Sequence, residues 1–127
     1  LDLFEEMRLA SLVAKVGSGD AAAVPAATAL AMATINGARA LGMDGVTGSL
    51  APGKAADLVA VDFSGVATQP VFDPVSHLVF AAGRDCVTDV WVGGVRMVER
   101  RQLTSVDEAA LLARTRAWQR KLAAFPD

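Results

Sequence analysis

Apolar positions recur at helical spacing at the start of the chain: Leu3, Phe4, Met7, Ala10, Ser11 and Ala14 share one face. Leu12, Val13 and Val16 widen it. The spacing predicts a helix over residues 3–16, capped by Asp2 with Glu5 three residues on, and stopped by Gly17 and Gly19. Pro25 suits the first position of a second helix that continues through 26–34. The run Thr34-Ile35-Asn36-Gly37 is expected to break it, with Asn36 capping a short helix over 38–41 that Gly42 ends.

After this point the period changes. Pro52-Gly53 reads as a tight turn, and Leu58-Val59-Ala60-Val61 as a buried strand. Asp73 and Pro74 open a helix over about 73–82, closed by Gly83. From Val87 to Val92 the residues alternate, with Val87, Asp89 and Trp91 on one face. Gly93-Gly94 is a primed two-residue hairpin turn, and 95–99 is the return strand. Ser105 to Glu108 reads as a capping box for a last helix reaching about 124. Its acidic start and basic end suit the helix dipole, and Trp118 is expected to anchor it on its own protein. The order of elements predicts an α/β chain.

Composition narrows what such a chain can do. Of 127 residues, 53% are hydrophobic and 20% charged, enough for a core and more apolar surface than a short chain standing alone needs to show. Net charge is 12 − 14 = −2 with scattered Lys and Arg, which argues against nucleic-acid binding. No apolar run approaches the ~18–20 residues of a membrane span, and no signal-peptide pattern is present. Cys86 is the single cysteine, which fits a reducing cytoplasm. The chain opens on Leu1-Asp2-Leu3 without methionine and reads as a piece of a longer protein.

Candidate chemistry is sparse. Asn36 is expected as a cap. Asp57, just before a strand, is expected to anchor a turn by accepting N–H bonds rather than to act as a general base. Lys54 in Pro52-Gly53-Lys54 lacks the context of a phosphate loop. His77, the only histidine, has no second histidine or cysteine pair to build a zinc site with, and is expected to make a structural hydrogen bond. Cys86 is expected to be a small buried apolar residue.

Three strings carry a resemblance. GSLAPGKAADLVAVD (48–62), FDPVSHLVFAAGRDCVTDVWVGGVRMVERRQLT (72–104) and ATINGARALG (33–42) resemble, in order, the C-terminal part of the metal-dependent amidohydrolase superfamily. The match is to its branch of deaminases and triazine hydrolases, and the best fit is the subgroup deaminating 5-methylthioadenosine and S-adenosylhomocysteine.

The resemblance implies an α/β fold made of the terminal helices of a (β/α)8 barrel (1–47), the C-terminal strands of a small β-sandwich with an inserted helix near 73–82 (48–104), and a C-terminal helix (105–127). It implies a zinc-type enzyme, acting by metal-activated water, whose ligands are a His-x-His pair, two further histidines and an aspartate, with a glutamate moving protons. None of these matches a position here. No catalytic, metal or substrate-binding residue is therefore nominated, and the fragment alone is expected to be inactive.

The expected partners are the N-terminal part of the same enzyme, which would hold the zinc and supply the strands that pair with these, a small nucleoside substrate, and further copies in a homo-oligomer. No membrane partner is expected. Guanine deaminase, triazine chlorohydrolase and a non-catalytic interaction domain are the alternatives.

Overall fold

A computed structural model describes residues 2–124. Leu1 and residues 125–127, the ends of the first and last expected segments, lie outside the described residues. The chain is a mixed α/β structure: a group of helices, then a small antiparallel sheet with a short helix inserted between its first and second strands, then one further helix.

Helix α1 (Leu3–Ser18) begins as its cap predicts. The Asp2 carboxylate accepts from the N–H groups of Phe4 (3.1 Å) and Glu5 (3.4 Å). These are two of the donors that a helix start leaves unpaired. Gly17 does not stop the helix. One glycine inside a helix costs about 1 kcal/mol, and the turn continues, with Ser18 Oγ donating to Ala14 O (2.7 Å). The end comes at Gly19, whose φ of 66° is the left-handed conformation that closes helices.

Pro25, with ψ of 165°, is the cap of α2 (Ala26–Ala31) rather than its first residue. The expected break at 34–37 is absent. Instead, a π-helical turn (Met32–Asn36) carries the helix straight into α3 (Gly37–Ala40). Asn36 is itself helical, with φ −73° and ψ −36°, so it caps nothing; its Oδ1 accepts from Arg39 Nη1 (3.1 Å). The wider turn brings the Met32 carbonyl to 3.2 Å from where a Cβ on Gly37 would stand, so a side chain there would push that carbonyl back by a few tenths of an ångström. Helix α4 (Pro74–Phe80) starts as expected, with Asp73 accepting from the Val75 N–H (3.0 Å) and Pro74 at the first position.

These helices share one core. Met7, Ala26, Ala29 and Val79 are buried in it, and Phe4, Val24, Leu30, Ala33 and Val75 pack around them. The alanines let α2 lie close to both α1 and α4. Polar side chains of α1 tie the neighbouring backbone down. Buried Ser11 Oγ donates to Val24 O (2.6 Å), and Lys15 Nζ to Ala21 O (2.6 Å) and Ala23 O (2.8 Å). Arg8 donates from Nε to Val79 O (3.1 Å) and from Nη2 to Ala82 O (2.6 Å), closing the C-terminal end of α4.

The sheet runs in the order β1 (Leu58–Val61), β2 (Val87–Val92), β3 (Val95–Glu99), β4 (Gln102–Leu103), all antiparallel. Leu58 faces Trp91 and Val59 faces Val90. A bulge follows Ala60, so that Val61 faces Val87. The predicted hairpin turn is present, with φ of 57° at Gly93 and 80° at Gly94.

Strand β1 was expected to be buried. It is an edge strand, and Val59 is 58% exposed. Strand β4 was not expected. Its turn is built by two arginines with positive φ, Arg100 (47°) and Arg101 (68°). They are held by distant acceptors: Asp89 takes the Arg100 N–H (3.0 Å) and Arg96 Nη2 (2.6 Å), and Thr88 O takes the Arg101 N–H (2.7 Å).

Helix α5 (Glu108–Ala123) is capped by Asp107, which accepts from the Ala110 N–H (3.0 Å). The predicted capping box is thus displaced. Ser105 lies outside the helix, and Glu108 Oε1 faces the Leu103 N–H at 3.5 Å. Packing of α5 on its own protein, expected from Trp118, is not seen among the described residues. The helix buries none of its residues, and Trp118 is 60% exposed. No helix among the described residues is long and apolar enough to cross a membrane.

Candidate functional site

The seam between helices and sheet is the most organised feature of the chain. The Pro52-Gly53 turn forms as predicted, with Gly53 at φ 87° and the Lys54 N–H donating to Ala51 O (3.2 Å). Lys54 then folds back over the preceding loop. Its Nζ donates to Ser49 Oγ (2.7 Å), Thr47 O (3.3 Å) and Asp44 O. An ammonium satisfied by three loop oxygens is a clamp rather than a phosphate ligand. Two backbone bonds complete the seam: Ala55 N–H to Val46 O (2.8 Å) and Gly94 N–H to Ala56 O (3.0 Å).

Asp57 is the anchor that the sequence predicts. Its Oδ1 accepts from the Gly93 N–H (2.7 Å) and its Oδ2 from Thr47 Oγ1 (2.8 Å). One carboxylate thus joins the loop before β1 to the hairpin 36 residues later. The Gly93 N–H, and then the Thr47 hydroxyl, hold its pKa below the usual carboxylate value. A carboxylate with its acceptors engaged and its pKa lowered is poorly matched to general-base work near neutral pH.

A carboxylate whose pKa is lowered by folding stabilises the fold above its unfolded value of 3.8, and that contribution is lost as pH falls through the lower folded value. Asp62, Asp73 and Asp89 are lowered too, each first by a hydrogen bond: from the Ser64 N–H, the Ser76 side chain and the Arg100 N–H respectively. Melting temperature should therefore fall as pH drops below about 4. Asp57→Asn should make that acid limb shallower. Profiles of equal slope for the two proteins would show that the anchor contributes nothing.

The remaining candidates do not converge. The His77 ring packs edge-on to Phe63, with centroids 5.2 Å apart, and its Nε2 is buried without a partner among the described residues. The hydrogen bond expected of His77 is not made at that atom. Cys86 is buried at the foot of β2, as expected, and its carbonyl accepts the Asp62 N–H (2.8 Å). Asp89 is the junction that residue-by-residue reading missed; its only signal is an acidic residue inside an apolar alternation.

Between helices and sheet lies an apolar cleft of about 700 Å³. Phe4 and Met7 of α1, Leu30, Leu41, Leu58 and Val61 contribute to its wall, and Asp57 stands on the seam side. This surface suits apolar protein side chains. Among the described residues, no three of His, Cys, Asp and Glu stand together as a metal site would require. The donor set here therefore does not fit the zinc that the resemblance implies, and no catalytic step is derived through it.

Known proteins place this geometry. The 5-methylthioadenosine/S-adenosylhomocysteine deaminase of Teredinibacter turnerae is 45% identical over 124 residues, 98% of this chain and 28% of that protein. The 5'-deoxyadenosine deaminase of Methanosarcina acetivorans is 43% identical over 98% of this chain and 28% of its own length. Among solved structures, a zinc-bound adenosine deaminase from Xanthomonas campestris superposes with a TM-score of 0.92 at 46% identity, over 97% of this chain and 28% of that one. Zinc-bound atrazine chlorohydrolase from Arthrobacter aurescens superposes at 0.81 with 29% identity, over 90% of this chain and 25% of that one. This chain spans about 28% of the length of the curated relatives named here. The model of the amidohydrolase family matches residues 1–97, and the chain belongs to that family.

Proposed function

We propose that this chain is the C-terminal part of a zinc-type amidohydrolase that deaminates an adenine nucleoside, 5-methylthioadenosine or S-adenosylhomocysteine. The reaction replaces the exocyclic amine of the ring with oxygen from water and releases ammonia. The observation that carries the reading is identity above 40% across nearly the whole chain to two proteins named as adenine-nucleoside deaminases. The zinc would be held by the rest of the polypeptide, where it would make hydroxide from water.

In this reading residues 1–47 are the last helices of the barrel, 48–104 part of a β-sandwich, and 105–127 a terminal helix. The residues described here brace the reacting centre and do not touch it. The apolar cleft and the free edge of β1 are the surfaces that the rest of the polypeptide covers, since an open strand edge and an uncovered apolar wall favour pairing with another segment. The complete enzyme is a cytoplasmic homo-oligomer.

Ammonia release by the full-length polypeptide tests this. Turnover of 5-methylthioadenosine and S-adenosylhomocysteine should exceed that of guanine and of a chlorotriazine by at least about a hundredfold in kcat/KM, the discrimination expected when a site built to hydrogen-bond one ring meets another. Faster turnover of guanine or the triazine would overturn the substrate assignment.

A further inference from the structure

We infer that α5 is a docking helix whose apolar seam is covered by the remainder of its own polypeptide, in a groove with acidic side chains along one rim. The inference rests on the reading that this chain is part of a longer enzyme. Leu111, Trp118 and Leu122 recur at i, i+7 and i+11 with Thr115 between them, and exposed Leu112 widens one side, a stripe of the kind that packs against a neighbouring helix or groove. Leu111, Trp118 and Leu122 are each about half or more exposed. Arg114 and Lys121, seven residues apart, flank one side of the stripe, and Lys121 Nζ lies 5.2 Å over the Trp118 ring. A basic flank beside an apolar seam selects a partner with acidic groups at the matching rim.

A second copy of α5 fits poorly. Antiparallel pairing sets the same flank of each helix against the other, Arg114 against Lys121, so like charges meet. A seam of 16 residues is also only ~24 Å long, too short to bury the ~1,200 Å² that holds separate chains together.

The remainder of the polypeptide meets both requirements. The Xanthomonas deaminase superposes over 97% of this chain, which matches only 28% of that molecule, so the counterpart of α5 there belongs to a much longer polypeptide. Attached to the same chain, a groove also acts at high effective concentration. A lone helix of this length is marginal in water, so it needs such cover to stay formed.

Hydrogen exchange of amides 108–123 in the full-length polypeptide tests this, measured at low and at high protein concentration. Protection should be at least about tenfold above that of a free helix and independent of concentration. Trp118→Ser and, separately, the charge reversal Arg114→Glu/Lys121→Glu should each remove most of it; the reversal keeps the test usable if the tryptophan variant does not fold. Protection that rises with concentration would assign the seam to a second copy and overturn the inference, as would exchange at the free-helix rate. Ammonia release from 5-methylthioadenosine in the same samples reports separately on the proposed reaction.

Discussion

Gly48→Ala should destabilise the protein by about 3 kcal/mol, the largest loss expected from one added methyl group in this chain. A Cβ at Gly48 would stand 2.6 Å from Ala38 Cβ, 3.0 Å from Ile35 Cα and 3.1 Å from Thr34 O. Two of these atoms are backbone of the π turn, and the third is a methyl group fixed to the helix that follows it. None can swing aside. Residue 48 also has φ of 82°, where an L-residue is strained. Gly53→Ala is the control. Its φ of 87° is as unfavourable, but nothing lies within 4 Å of the new Cβ, so it should cost only about 1 kcal/mol. Urea denaturation of the two variants compares them directly; equal losses would show that the approach of the seam to the π turn carries no constraint.

The second large effect is at Arg8. Arg8→Met keeps the apolar stem and removes the guanidinium, leaving the carbonyls of Val79 and Ala82 without their donors. Hydrogen bonds from a charged donor contribute about 1.5–3 kcal/mol, and carbonyls left unpaired at a partly buried helix end stay costly. The expected loss is about 2–3 kcal/mol. Arg8→Lys should recover roughly half, because a single ammonium cannot reproduce the two-pronged contact. A loss under about 0.5 kcal/mol for Arg8→Met would assign the end of α4 to solvent instead.

What could be read from the residues was local chemistry. Asp2, Asp73-Pro74, Pro52-Gly53 and Gly93-Gly94 each carry their structural instruction within four residues, and each forms as read. Asp57 was legible as a carboxylate beside a turn, although the donors it takes, on Thr47 and Gly93, are 10 and 36 residues away. The parts that escaped depend on what lies opposite. The π turn at Met32–Asn36 keeps Asn36 in a helix that its neighbours seemed to end. Strand β4 is hidden because Arg100 and Arg101 are poor residues for positive φ, held there by Asp89 and Thr88 across the sheet. The cap of α5 moved from Ser105 to Asp107, two competent residues in one short stretch.

The family strings were informative for a different reason. Turn residues, the Lys54 clamp and the Asp57 anchor sit where hydrogen bonds fix them, so their order along the chain reports the fold. No catalytic or metal-binding residue was nominated from the sequence. His77 is the only histidine in the sequence, it stands beside Phe63, and no cluster of metal-binding side chains forms among the described residues.

Metal content and ammonia release, measured on the 127-residue chain and on the full-length polypeptide side by side, test the central claim most directly. The full-length protein should hold zinc in stoichiometric amount and release ammonia from 5-methylthioadenosine, while the short chain does neither. Stoichiometric zinc and ammonia release from the short chain alone would contradict the account.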